Sequence, residues 1–300
     1  MYPDLTASLR QDIRKLARNE LYFIRDHSTA DGSFLLYHFI SSYLRSPENA
    51  QVYVLALNHT IAHYKVVLAK LGVQLQRQID GNRCRFLDFS YFFSMADESK
   101  NTEASWFRFG IGDGPSTTES DTDMEEAVRL LYFHVKNEIS AMIGQKSISD
   151  SRPPFLIVID SLSSLLDFKV PVKCVIQFVQ YLRNFGHEHG VSFAILAKTD
   201  ERFRASVCED RVISAFDQLA AFVLEWGSST FEKTVLFDVK PLATGWSQDV
   251  HGQVSIREIN NFDVDDPSKN VPETETRLLF KLGDRNVKFM APGLVPRIGV

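Results

Sequence analysis

Short apolar runs of strand length alternate with amphipathic stretches of helix length from Leu21 onward, and that alternation leaves few architectures open. "LYFIRD" (Leu21 to Asp26) is followed by a helical pattern over Phe34 to Leu44, "QVYVLAL" from Gln51 by a helix over Thr60 to Leu71, and "CRFLDF" begins at Cys84. A further helix is predicted over Ala127 to Ile143. After the breaker "SRPP" comes "FLIVID" (Phe155 to Asp160), a continuous apolar run of the kind buried on both faces of a parallel sheet. A helix over Val172 to Phe185 and the strand "SFAILAK" (Ser192 to Lys198) complete the series. The pattern predicts right-handed βαβ crossovers and a central, mostly parallel sheet.

After Ala220 the rhythm changes. "AAFVLEW", "TVLFDVKPL", "GQVSIREI", "TRLLFKL" and "NVKFMAP" read as strands separated by short turns such as Gly283-Asp284-Arg285-Asn286, which predicts an antiparallel tail. Two polar tracts, Ala96 to Glu126 and Asp263 to Thr276, lack the apolar content to pack and are expected to be mobile loops. With 44% hydrophobic residues, the 300-residue chain can fill a sizeable core, so residues 21–300 are expected to form one domain behind an amphipathic segment, 1–20.

Charge and cysteine usage exclude several classes. Thirty-three Lys and Arg against 38 Asp and Glu give a formal charge of −5, so the chain is no polycation, and any RNA contact must be local or shared with partners. Cys84, Cys174 and Cys208 are odd in number and far apart, which argues for reduced thiols inside a cell rather than a disulfide framework. The first twenty residues hold no apolar leader core, and no run approaches the roughly 18 apolar residues of a membrane span. An intracellular protein without a membrane anchor is expected.

The strand–loop–helix segment from Leu21 to Leu44 has the frame of a phosphate-binding loop, in which backbone N–H groups at a helix N-terminus converge on a nucleotide phosphate. The chemistry inside the frame is missing. Set against G-x-x-x-x-G-K-[ST], Gly32 takes the second glycine's place, His27 stands for the first glycine, Ser33 for the lysine and Phe34 for the magnesium-binding hydroxyl. Two charge-neutralising elements are lost at once, and Asp31 adds an anion where phosphates would sit. The plainer reading is a βα turn capped by the Asp31 and Ser33 oxygens. Asp160, at the end of "FLIVID", matches the aspartate with which a P-loop ATPase orients Mg²⁺ (the Walker B position), although apolar strands ending in Asp are also common in inactive α/β proteins. Together the two segments support a RecA-like P-loop NTPase fold that lacks a functional Walker A motif.

Other motifs carry less. His59 and His63 in "HTIAH" have the spacing of a shared metal, but no third ligand stands nearby, and packing or surface roles are favoured. His187 and His189 suit a helix C-terminus. "FGIGDGP" (Phe109 to Pro115) has no helix behind it, and the serines of "SLSSLL" lack a nucleophile elbow. Lys198, Arg202 and Arg204 would leave the carboxyl edge of the sheet, where ligands or a neighbouring subunit approach, with solvated charge as the plainer alternative. Trp246 sits in a Gly-rich turn as an exposed or interface aromatic.

"LATGWSQDVHGQVSI", "FKLGDRNVKFMAPGLVP", and "DGSFLLYHFISSYL" with "QVYVLALNHTIAHYKVVLAKLGV" together resemble the family of the sixth subunit of the Elongator complex. The resemblance runs from about Leu21 to the C-terminus, and the N-terminal segment lies outside it. It implies a RecA-like pseudo-ATPase, a non-catalytic subunit assembled with the fourth and fifth Elongator subunits into a heterohexameric ring. That ring, with the remaining subunits, serves a machine that places carbonylmethyl-type side chains on wobble uridines of tRNA. The resemblance further implies tRNA binding through the assembled ring, no cofactor or metal in this chain, and residence in the cytoplasm and also the nucleus. Lys198, Arg202, Arg204 and Trp246 are then candidates for tRNA or neighbour contacts. The alternative within the same family is an ATPase subunit with an unorthodox or composite nucleotide site that controls tRNA release.

Overall fold

The computed structural model describes residues 16, 18–27, 30–89, 120–144, 153–168, 170–198, 218–224, 231, 233–241, 250–259, 275–283 and 287–290. In chain order they form β1 (Glu20–Asp26), α1 (Ser33–Arg45), β2 (Gln51–Ala56), α2 (Ile61–Lys70), α3 (Leu75–Asp80), β3 (Cys84–Asp88), α4 (Ser120–Gly144), β4 (Phe155–Asp160), α5 (Ser164–Asp167), α6 (Val172–His189), β5 (Ser192–Lys198), β6 (Lys233–Lys240), β7 (Gly252–Ile259), β8 (Glu275–Leu282) and β9 (Val287–Met290). All nine strands join one sheet in the order β3-β2-β4-β5-β1-β6-β7-β8-β9. From β3 to β6 every pairing is parallel, and from β6 to β9 every pairing is antiparallel. This is the RecA-like α/β architecture, with a mostly parallel centre and antiparallel C-terminal strands.

Strand residues alternate between two cores, as a period of two requires. From β1 and β4, Leu21, Phe23, Phe155, Ile157 and Ile159 face one core, where Leu131, Val135 and Ile139 of α4 and Val175, Phe178 and Leu182 of α6 complete the packing. Tyr22, Ile24, Leu156 and Val158 face the other, filled by α1, α2 and α3. Helix α1 is buried along nearly its whole length, from Ser33 to Leu44, its polar His38, Ser41 and Ser42 included. Tyr22 stacks on Phe39 with ring centroids 4.3 Å apart, and Phe34 lies 4.9 Å from Phe280, so α1 ties the centre of the sheet to its antiparallel arm. Among the described residues no helix is long and apolar enough to cross a membrane.

The structure departs from the sequence expectations in four places. Residues 218–224, within or beside the expected strand "AAFVLEW", are helical, with Leu219 and Val223 buried one turn apart. Strand β6, expected in the antiparallel tail, is antiparallel only to β7 and pairs parallel with β1 on its other side. Helix α4 begins at Ser120, so the last residues of the first polar tract are helical; Asp and Glu favour the first turns of a helix as readily as they favour a loop. The end of the second tract, from Glu275, belongs to β8. The rest of both tracts, most of the N-terminal segment, "FGIGDGP", Arg202, Arg204, Cys208 and Trp246 lie outside the described residues.

Candidate functional site

Parallel pairing brings the ends of β1, β3, β4 and β5 to one edge of the sheet, and the last residues of these strands are Asp26, Asp88, Asp160 and Lys198. Helices α1 and α2 begin at this edge. In an open parallel sheet, ligands bind here, and a helix N-terminus offers a phosphate its unpaired N–H groups.

At α1 the first two of those groups are already engaged. The N–H of Gly32 donates to Asp26 Oδ2 at 3.0 Å, and the N–H of Ser33 donates to Asp31 Oδ1 at 2.8 Å. The N–H of Ala30 donates to the carbonyl of His27 at 2.8 Å, drawing the start of the helix back towards the strand end. The cap is supplied by Asp31, and the side chain of Ser33 is buried. Phe34, in place of a magnesium-binding hydroxyl, packs against Phe280 and Phe289. Burial pushes the Asp26 carboxyl up to about 7; Asp31 adds to the rise, while the Gly32 N–H, Lys198 and His27 oppose it.

Gly32 survives for a packing reason. Its backbone is right-handed, φ −87° and ψ −3°, so no conformation reserved for glycine is needed. A Cβ there would come within 2.9 Å of Ile24 Cγ2 and 3.1 Å of Asp26 Cβ, so the glycine lets α1 start directly against β1.

Helix α2 is held in the same way from the neighbouring strands. Asp160 is 1% exposed, and its carboxylate accepts from the N–H of Asn58 at 2.7 Å, the N–H of His59 at 3.2 Å and the phenol of Tyr64 at 2.8 Å. The Nδ1 of His59 lies 3.2 Å from Asp160 Oδ2. The N–H of Ile61 donates to Asp88 Oδ2 at 2.9 Å. The carboxylate in the Mg²⁺-orienting position therefore clamps the β2–α2 connection. Directly after it, Ser161 takes a left-handed backbone, φ +61°, and the Oγ of Ser163 accepts from the N–H of Lys198 at 2.7 Å.

The two histidines of "HTIAH" stack with centroids 4.5 Å apart, and His63 Nε2 lies 2.8 Å from the Tyr37 hydroxyl. The Asp160 hydrogen bond holds His59 above the usual imidazole range, whereas burial and the neighbouring His59 hold His63 below it. Among the described residues no group of three His, Cys, Asp or Glu side chains is placed to hold a metal. At the C-terminal turn of α6, His189 Nδ1 lies 2.9 Å from the carbonyl of Phe185.

One strand further, Asp238 of β6 gathers Arg25 at 3.5 Å, His27 at 3.8 Å and Lys240 at 2.9 Å. Burial alone would raise its pKa, but these partners hold the carboxyl down at about 2. Lys198 is exposed and stands in register with Asp26 on the adjacent strand.

Of the residues singled out from sequence, His27, Asp31, Gly32, Ser33, Phe34, Asp160 and Lys198 meet at this edge. Sequence reasoning did not single out Asp26, Asp88, Tyr64 or Asp238. A signal was present for two of them: like "FLIVID", the runs "LYFIRD" and "CRFLD" end in Asp. Chemically, the edge is a set of internal carboxylates seated on two helix N-termini. Carboxylates take the places that phosphate would need, and the Asp160 oxygens are already occupied by protein donors.

A family model described as Elongation complex protein 6 matches residues 2–275, so the match includes the N-terminal segment that the motif resemblance left out. Elongator complex protein 6 of Mus musculus is 27% identical over 305 residues, covering 99% of this chain and 100% of the relative. The Xenopus laevis protein of the same name is 27% identical, covering 98% of each, and the Homo sapiens protein is 22% identical, covering 99% and 100%. Among solved structures, an uncharacterized protein from Pyrococcus horikoshii, crystallised with an unknown peptide, aligns with a TM-score of 0.53 at 11% identity over 97% of this chain and 98% of that one. That likeness concerns the fold.

Proposed function

The chain belongs to the Elongation complex protein 6 family, and from that premise we propose that it is a non-catalytic structural subunit of the Elongator complex. In this reading it forms a RecA-like heterohexameric ring with the fourth and fifth subunits. The ring binds tRNA and supports modification of its wobble uridine, in the cytoplasm and also the nucleus. Membership of the family makes the chain one subunit among others; the ring, its tRNA and its compartments are the proposal.

One observation carries the non-catalytic part. The N–H groups of Gly32 and Ser33, which open α1, are taken by Asp26 and Asp31, and Asp160 is saturated by Asn58, His59 and Tyr64. Nucleotide binding in cis would have to displace two carboxylates, at a site with no P-loop lysine. The exposed Asp31 carboxylate also repels phosphate directly. At −5, the chain on its own is suited to weak tRNA binding, because phosphate contacts supply most non-specific nucleic-acid affinity. A ring can pool basic segments from several subunits.

The test is co-expression with and without the fourth and fifth subunits, followed by particle mass, tRNA binding and ATP turnover on the same samples. The expected result is a defined hetero-oligomer that gains tRNA affinity only on assembly. A lone chain that neither recruits those subunits nor changes mass would overturn the reading. An Asp160→Ala variant that assembles normally but abolishes turnover would favour the composite-site ATPase instead.

A further inference from the structure

Helix α2 buries only Tyr64 and Leu68 among its ten residues. Val66, on the opposite side, is 59% exposed, more than any other large hydrophobic side chain among the described residues. At about 100° per residue, Ala62, Val66 and Ala69 fall on one outward stripe. His63 and Lys70 run along one flank of it and Lys65 along the other, and all six residues are exposed.

The flanks carry one sign of charge. Helix α2 contains no Asp or Glu, in a chain whose formal charge is −5. Among the described residues neither Lys65 nor Lys70 takes part in an ion pair. Helix α3, packed beside α2, contributes Arg77 and Asp80, whose charges cancel. The face is also rigidly held, because Asp160 and Asp88 fix the start of the helix. A pre-organised surface loses less freedom on binding. The aromatic cluster of Tyr132, Phe133 and Tyr181 offers more apolar area, but Arg129 and Lys136 already lie over its rings, each 6.0 Å from a centroid.

An apolar stripe between lysines is complementary to an amphipathic segment with acidic flanks. We propose that the outer face of α2 docks an acidic amphipathic segment of another subunit of the same complex. Apolar side chains cover Val66 and its two alanines, and carboxylates reach Lys65 and Lys70. This proposal rests on the chain acting as an assembled subunit.

The experiment uses the full chain co-expressed with the fourth and fifth subunits, comparing wild type with Lys65→Glu/Lys70→Glu and with Val66→Asp. If the wild type fails to assemble, the proposed function falls and this inference with it. If the wild type assembles, the charge-reversed variant is expected to bind its partners about tenfold or more weakly at low salt, with the deficit shrinking as salt rises. The lysine side chains point to solvent, so this variant stays informative even if Val66→Asp fails to fold; thermal melting of the lone chains checks both. Unchanged assembly by a folded charge-reversed variant overturns the proposal. So does normal assembly with lost tRNA binding, which would make α2 a nucleic-acid surface, and so does a wild-type homodimer broken by the same substitutions.

Discussion

The phenol of Tyr64 donates to Asp160 Oδ2 at 2.8 Å, joining residues 96 positions apart and fixing the middle of α2 to the tip of β4. Tyr64 is wholly buried. The bond is the innermost of those through which Asp160 holds α2, and it gives the Walker-B-like carboxylate a structural task. Tyr64→Phe removes the donor while keeping the ring. The expected loss is about 2 kcal/mol, the usual range for a hydrogen bond to a charged acceptor, read from urea unfolding. Asp160→Ala should cost more, about 3 kcal/mol or above, since it strands several donors at once. ATP turnover by the assembled complex should be unchanged. A normal unfolding curve with lost turnover would instead make Asp160 a catalytic carboxylate.

Asp26 makes stability depend on pH. Its pKa rises from 3.8 to about 7 in the folded chain, so the folded state holds this proton more tightly than the unfolded one. Stability present below pH 3.8 is therefore lost as pH climbs through about 7. Asp26→Asn keeps an oxygen to accept from Gly32 and removes the charge. Above pH 7 the variant should be more stable than wild type, by an amount on the order of a few kcal/mol, and the gain should vanish near pH 4. Melting temperatures at pH 4, 5 and 8 measure it; an equal shift at every pH would show that the Asp26 charge is not the cause.

The alternating strands and helices were legible because a short run as apolar as "FLIVID" suits a strand buried on both faces, the placement that a helix-covered parallel sheet provides. The degenerate phosphate loop was legible because its lysine and hydroxyl are defined by position. What replaced the phosphate was not. Asp26 reaches Gly32 six residues away, but Asp160 reaches Asn58 across 102, and no local pattern encodes that contact. The parallel side of β6 escaped for the same reason: "TVLFDVKPL" reads alike whichever neighbour it takes, and only the crossover sets its direction. Composition misled at Ser120, where acidic residues open a helix rather than prolong a loop.

His59 should show the dependence expected of a raised imidazole. Its hydrogen bond to Asp160 lifts its pKa above 6.5, so the stabilisation is full below pH 6.5 and is lost as pH rises through the folded value. His63, held low by burial and by His59, acts the other way and destabilises as pH falls below 6.5. Comparing His59→Gln with His63→Gln by thermal unfolding between pH 5 and 8 separates them. The deficit of the first should be greatest on the acid side, whereas the second should relieve acid sensitivity. Parallel pH profiles for the two variants would show that the stacked pair does not divide its proton in this way.

Gly32→Ala tests whether the surviving glycine serves a ligand or the core. If it existed for close approach of a phosphate, alanine would leave folding intact, because the φ and ψ of Gly32 suit any residue. The added methyl instead meets Ile24 Cγ2 at 2.9 Å, inside a packed core. The expected cost is about 1–3 kcal/mol, the range for overpacking by one methyl. Ile24→Ala alone should also destabilise, through the cavity it leaves. The double variant should then cost less than the sum of the two, because the space vacated by Ile24 accommodates the new methyl, and the two residues are close enough to couple. Urea unfolding of the four proteins gives the coupling directly. Strict additivity, or an unperturbed Gly32→Ala, would mean that Gly32 was not kept for the packing of α1 on β1.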